Sequence, residues 1–362
     1  MNKRFWGTGL LAVSLAASSL GGCAYGAPEE FDDESVAETQ SEELSVWDWT
    51  PLHDVGSDHQ KSWLGGGLAT LNGTTYMVHS GSCPPEYCNQ LWWTKRNADG
   101  TWTNDIQVPN QLSGKKVSLA AFNGYVYMVH SGSSAGSQDL WLSRFNPSTQ
   151  QWSPNYKLSY TSYETPALQE YNGRLYMIGS RNDGQLWVVS MNSSESWGSQ
   201  QYLSGQFTTG RVSAAVFRGR LYRAHRDSST TYTVLSSFDG TSWTAKQYLQ
   251  DGAGGWVTND PAIATSNGYL HMLYRKSDLT VNWMYFDGSS WSTTVSLGNE
   301  KSYAVPSLVA GGPGLIRSTV QEVGSFFTYH YARVSEFDSP TTVPGGPIEN
   351  GPLENAPIGF KK

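Results

Sequence analysis

Seven histidines, fifteen tryptophans and a thin scatter of arginines are the side chains of this 362-residue chain with most chemistry to offer. His53, His59, His79, His130, His225, His271 and His330 form no His-Glu-x-x-His or other tight pair, so their spacing supplies no metal site. No Gly-x-x-x-x-Gly-Lys phosphate loop is present, and no motif asks for a cofactor. What recurs is a hydrophobic-Tyr pair. Aligned on it, one rung reads His79, His130, Gly179, His225, Tyr274 and Thr319, and the next reads Ser80, Ser131, Ser180, Arg226, Arg275 and Val320. Shortly after each come Trp92, Trp93, Trp141, Trp187 and Trp283, at or near one register. A flat ring beside imidazole, hydroxyl and guanidinium donors suits a sugar, whose apolar face packs on the ring while its hydroxyls take directed hydrogen bonds. The candidate ligand-binding set is therefore His79, His130, His225, Arg226, Tyr274, Arg275, Trp93, Trp141, Trp187 and Trp283. No catalytic residue can be named. Large aromatics at a repeated position also suit packing between sheets, and the sequence leaves both roles open.

These residues are carried by a repeat. Asn72-Gly73, Asn123-Gly124, Asn172-Gly173, Arg218-Gly219 and Asn267-Gly268 follow one another at intervals of 51, 49, 46 and 49 residues, with a degenerate sixth copy at Pro313-Gly314. Asn-Gly between apolar runs is a strong hairpin signal, because both central positions of a type I′ turn need positive φ. A tryptophan closes each good copy (Trp102, Trp152, Trp197, Trp243, Trp291), and six residues later comes Val108, Leu158, Leu203, Leu249 or Leu297. Short strands repeated every 40 to 50 residues predict a β-propeller with one four-stranded sheet per repeat. In copy three the outer strand is expected over 197–203. The sixth copy lacks its tryptophan strand, whereas Trp49 and Val55 repeat the six-residue interval with no hairpin before them. The predicted fold is thus all-β, a six-bladed β-propeller in which the N-terminal strand at 46–55 closes the last blade and covers its open edge.

The flanking segments read differently. Residues 1–22 have the form of a signal peptide, with Lys3 and Arg4 before a short apolar run, and Leu20-Gly21-Gly22-Cys23 at its end. Segment 23–45 is an acidic tether with eight carboxylates and no Lys or Arg, a composition that stays solvated. The propeller is expected over 46–335 and a Pro/Gly-rich tail over 336–362. The leader contributes +2, the tether −8 and the tail −2, so of the net −7 about +1 remains on the ring. A near-neutral ring offers no electrostatic footprint for nucleic acid. Cys83 and Cys88 share one short loop, and in an exported protein a loop disulfide is expected.

Leu20-Gly21-Gly22-Cys23 resembles the lipobox of bacterial lipoproteins, in which the cysteine carries the lipid. That implies export and anchoring at the bacterial outer membrane or cell surface. The repeat itself, as in 171–177, Leu186-Trp187 and 238–243, resembles secreted bacterial propellers of the sialidase-like and fucose-lectin-like types over roughly 46–334. Asp99-Gly100, Asp239-Gly240 and Asp287-Gly288 are similar to the Asp box of sialidases but depart from it, since Asp and Gly are adjacent and the serine is displaced. The resemblance implies a monomeric, lectin-like glycan-binding protein. A protein-interaction or structural surface propeller and a sialidase-like glycoside hydrolase are the alternatives.

Overall fold

The computed structural model describes residues 49, 53–55, 62, 64–81, 89–312, 315–321 and 332–338, which form strands, bridges, turns and loops with no helix among them. In chain order, β1 (His53–Asp54) is followed by a four-stranded antiparallel sheet of β2 (Gly67–Leu71), β3 (Thr74–Ser80), β4 (Gln90–Lys95) and β5 (Ile106–Leu112). The next sheet holds β6 (Ser118–Phe122), β7 (Tyr125–Ser131), β8 (Asp139–Asn146), and the strands β9 (Gln151–Trp152) and β10 (Tyr156–Thr161), both paired with β8. A seven-stranded sheet follows: β11 (Ala167–Tyr171), β12 (Arg174–Ser180), β13 (Gln185–Met191), β14 (Gln201–Phe217), β15 (Arg220–Asp227), β16 (Thr233–Phe238) and β17 (Gln247–Tyr248). Then come β18 (Pro261–Ser266), β19 (Tyr269–Arg275), β20 (Thr280–Phe286) and β21 (Val295–Lys301) as one sheet. The last sheet joins β22 (Ser307–Gly312), β23 (Leu315–Gln321) and β24 (Ala332–Asp338) to β1.

The hairpins are where the sequence put them. Asn72 and Gly73 have φ of 50° and 78°, and Arg218 and Gly219 have 46° and 70°, the left-handed values a type I′ turn requires. At the opposite hairpins each tryptophan bridges back to the preceding strand, as in Met191↔Trp197, Phe238↔Trp243 and Phe286↔Trp291. The aliphatics six residues on, Val108, Leu158, Leu249 and Leu297, are buried. Two boundaries differ from the sequence expectation. The outer strand expected at 197–203 is instead part of the 17-residue β14. Between residues 204 and 210 only Gly205 takes a positive φ, so the backbone stays extended and shifts register between Thr208 and Val212 rather than turning. At the other end β24 reaches Asp338, paired with Leu315, and so passes the expected limit at 335.

β1 pairs antiparallel with β24, His53 opposite Val334 and Asp54 opposite Arg333. Val55 packs with Leu68 and Met77, and Trp49 meets Trp283 edge-on at 5.9 Å. The first strands of successive groups are neighbours: β2 lies beside β6, β6 beside β11, β11 beside β14, β14 beside β18, β18 beside β22 and β22 beside β2. Apolar side chains between successive sheets make the core. Val129 and Leu142 of the second sheet, for example, cluster with Leu168 and Met177 of the third. Cys23, Cys83, Cys88, His59 and His330, together with the leader and tether, lie outside the described residues.

Candidate functional site

In each group the first strand begins where the second ends, as the pairs Gly67↔Val78, Ala167↔Ile178 and Pro261↔Tyr274 show. The loops entering the first strands therefore gather at one edge of every sheet. Buried hydroxyls tie them down. Ser113 donates to the Lys115 carbonyl at 2.7 Å, Thr208 to the Arg226 carbonyl at 2.9 Å, and Ser302 to the Ala304 carbonyl at 2.7 Å. Ser62, Ser113, Ser162 and Thr208 each stand ten residues before a turn pair, a periodicity available to a sequence reading that looked upstream of the turns as well as downstream.

Three residues further along these loops is the position that matters electrostatically. It reads Gly65, Lys116, Thr165, Arg211 and Asp260 in the first five groups, with Val305 in the last. Lys116, Thr165, Arg211 and Val305 line a cavity of about 380 Å3 bounded by β2, β6, β11, β14, β18 and β22. Lys116 is buried and its ammonium donates to the Val305 carbonyl at 2.7 Å. Arg211 reaches Glu164 at 3.5 Å, and Arg226 reaches Asp260 at 3.4 Å. A Cβ built on Gly210 would overlap both carboxylate oxygens of Asp260, so the absence of a side chain there is what lets Asp260 sit so close. Lys115 donates to the Tyr163 carbonyl and lies 5.3 Å from the centre of the Tyr163 ring.

Burial, reinforced by the nearby Arg211, holds the Lys116 ammonium well below its ordinary pKa. Burial likewise lowers Lys115 and Arg211, with Glu164 opposing the shift in both and Asp260 in Arg211 as well. Three cations are thus crowded where desolvation penalises their charge, and an incoming carboxylate would relieve that penalty. Tyr163 and Tyr303 stand about half exposed in loops of the same class, and Trp256 stacks on Tyr232 at 4.8 Å with its own ring half exposed.

The residues singled out from sequence divide sharply. Arg226 and Arg275 reach this loop cluster. Arg226 donates to the Thr209 carbonyl at 3.3 Å, and Arg275 to the Tyr303 carbonyl at 2.6 Å and the Ser302 carbonyl at 3.4 Å. Most of the others are buried in the packing. Trp93, Trp187 and Trp283 are at most 3% exposed and present no ring face to a ligand. Trp187 turns inward because Gly179, its cross-strand partner, has no side chain to displace it. His79 is buried against Asp105 at 2.9 Å, His130 bonds to the Ser131 carbonyl at 2.8 Å, and Tyr274 shares a hydrogen bond with Thr294 at 2.9 Å. His225 is fully buried, and Trp141 is half-buried on β8. The aspartates of the Asp-Gly hairpins cap backbone: Asp239 accepts from the amides of Thr241 and Ser242, both at 2.8 Å. Gly132-Ser133-Ser134-Ala135-Gly136 has nucleophile-elbow spacing, yet it closes a strand-to-strand loop, where the Ser134 carbonyl accepts from the Ser137 amide. Among the described residues no cluster of three His, Cys, Asp or Glu could hold a metal ion.

No family model matches the chain, and no curated protein does either. Solved structures do. A protein of unknown function from Dyadobacter fermentans is similar at TM-score 0.63 and 10% identity, over 82% of this chain and 100% of that one. A Hadza microbial sialidase is similar at TM-score 0.57 and 11% identity, over 79% of this chain and 68% of that one. The Trypanosoma rangeli sialidase is similar at TM-score 0.54 and 10% identity, over 76% of this chain and 55% of that one. Identities this low bear on the fold alone: the chain has a sialidase-like β-propeller fold.

Proposed function

We propose that this chain is a six-bladed propeller, tethered to a bacterial outer membrane or cell surface by a lipid on Cys23, that binds acidic glycans in the manner of a lectin. The blade count is supported by six first strands that neighbour one another in a cycle, and by the pairing of β1 with β24. The anchor is supported by Leu20-Gly21-Gly22-Cys23.

The observation that carries the glycan reading is the mouth of the axial cavity. Lys116 and Arg211 line it, Glu164 and Asp260 flank Arg211, and exposed Tyr163 and Tyr303 stand in neighbouring loops. Two partly desolvated cations suit the carboxylate of a sugar acid, and the flanking carboxylates and tyrosines supply acceptors and flat faces for the rest of the ring. A similar fold, that of the Trypanosoma rangeli sialidase, has been solved with sialic acid bound. Binding at a single such site is expected to be weak, about millimolar, or roughly 4 kcal/mol.

The test is titration of the purified domain with acidic and neutral oligosaccharides. Acidic ligands should bind, more weakly as salt rises, and Arg211→Ala should abolish binding without lowering the melt. Binding confined to neutral sugars, or unchanged in Arg211→Ala, would overturn the assignment. Absence of any glycan binding would favour a protein ligand. Glu164 and Asp260 on either side of Arg211 also give a hydrolytic reading a physical basis, since glycoside hydrolysis uses paired carboxyl groups. Release of an aryl leaving group from an acidic glycoside, lost in Glu164→Gln, would establish it.

A further inference from the structure

Among the five complete repeats, one buried rung sets the fourth apart. Five residues past the first turn residue, the repeats read Met77, Met128, Met177, Arg223 and Met272. Arg223, on β15, is fully buried. Its guanidinium lies over Trp243 at 4.6 Å, and among the described residues none of its three nitrogens has a hydrogen-bond partner. Ser236 of β16 stands directly opposite Arg223, and His225 follows two residues on, on the same face of the strand. The Ser236 hydroxyl and both ring nitrogens of His225 are buried and likewise without partners among the described residues. The next carboxylate along that face, Asp227, is committed. It takes Lys246 at 2.5 Å and accepts from the Ser229 hydroxyl at 2.5 Å and the Ser229 amide at 2.9 Å.

The cluster is rich in donors and short of acceptors. A guanidinium offers five N–H groups and no acceptor, and leaving its charge buried and unpaired is strongly destabilising. Stacking on Trp243 offsets part of this but satisfies no N–H. A water molecule would take up some donors and leave the charge. A small anion would do both, accepting from guanidinium, imidazole and hydroxyl while neutralising Arg223. Trp243 packs on the apolar cluster of Ile178, Val188 and Leu221, which draws on the third and fourth repeats, so an occupant must be small and enclosed. We propose that Arg223, His225 and Ser236 form a buried site for a monovalent anion of halide size between the third and fourth repeats.

Melting of the purified domain in sodium chloride and in sodium gluconate, at matched ionic strength, tests the proposal. Matching the ionic strength cancels screening of the surface charges. In the wild-type protein each tenfold rise in chloride beyond saturation should lift the melting temperature by about 2–3 °C relative to gluconate. Arg223→Met, which restores the residue of the other four complete repeats, should fold and lose that difference. Equal melting of the wild type in the two salts would overturn the proposal, as would an undiminished chloride effect in Arg223→Met. Should that variant fail to fold, bromide-soaked wild-type crystals decide: an anomalous peak beside Arg223 supports the site, and no peak there overturns it.

Discussion

Between pH about 7 and about 5 three histidines would take up protons in the unfolded chain but are held neutral by the fold. Burial pushes His130 down to about 4, and His225 and His271 down to about 3 each. Hydrogen bonding requires the neutral ring at two of them. His130 donates from Nδ1 to the Ser131 carbonyl at 2.8 Å and accepts from the Asn155 amide at Nε2, 3.3 Å. His271 donates from Nε2 to the Ser266 carbonyl and accepts from the Trp283 indole at Nδ1, both at 3.2 Å. The unfolded chain takes up these protons near the ordinary value of 6.5, whereas the folded chain waits until about 3 to 4. In that window the unfolded state binds more protons, so stability falls as pH falls. At pH about 5 each site costs about 2 kcal/mol, roughly 6 kcal/mol together, against a total stability on the order of 5–15 kcal/mol. Two other groups do not add to this loss. For His79 burial is outweighed by Asp105, so its pKa is raised, and its contribution is complete below 6.5 and lost only as pH climbs through the folded value. Asp227 is buried, yet its bonds to Lys246 and Ser229 hold it down to about 2, so its contribution is lost only below 3.8. Calorimetric melts from pH about 7.5 to about 4.5, in chloride-free buffer so that no anion favours protonated His225, should fall steeply, with proton uptake on unfolding approaching three. His130→Gln should remove about one third of that uptake. A melting temperature that is flat between pH about 7 and about 5 would refute the reasoning.

Three further outcomes are expected. Gly210→Ala should push the Asp260 carboxylate away from Arg226, costing about 1–3 kcal/mol of stability by overpacking and weakening acidic-glycan binding, read by melting and titration. Trp49→Ala should lower stability by about 2–3 kcal/mol, less than a fully buried tryptophan would, in one cooperative transition; an unchanged melt would mean that the N-terminal segment does not brace the ring. Arg275→Ala, which loses two bonds to loop carbonyls, and Arg226→Ala, which loses one long carbonyl bond and the ion pair to Asp260, should each lower stability by about 1–2 kcal/mol, read by melting.

Much of the fold was legible because turns and packing obey local rules. Asn-Gly at 72–73, 123–124, 172–173 and 267–268 specifies left-handed backbone whatever surrounds it, and Trp49 with Val55 repeats an interval found in every complete copy. The site was harder to read. A tryptophan chosen for its flat ring is equally suited to fill the space between two sheets, and only the third dimension separates Trp187, sealed over Gly179, from Trp256, open on Tyr232. Reading downstream of the turns found the strand-two ends, hence Arg226 and Arg275. It missed Lys116, Arg211 and Asp260, which stand seven residues upstream of a turn. Nor could sequence show that β14 would run from one repeat into the next, since register shifts replace the turn between them.

The two classes of position also argue about how many sites the ring holds. Across the first five copies the packing rung is close to uniform, with Met77, Met128, Met177 and Met272 interrupted by Arg223, because every sheet must fit its neighbour. The loop position at the cavity mouth is different in every copy: Gly65, Lys116, Thr165, Arg211, Asp260 and Val305. Six equivalent pockets between blades would require the same donors to recur, and these do not. Lys116 reaches instead from the second group to the Val305 carbonyl of the last, with the small Gly65 beside its path. The arrangement therefore suits one composite site on the ring axis, assembled from unlike residues. A single site of about millimolar strength gives little adhesion by itself, so useful attachment would depend on many copies held on one surface. Under the proposed reading, a lipid on Cys23 and a tether over 23–45 would serve binding directly, since they would set the density at which single sites act together.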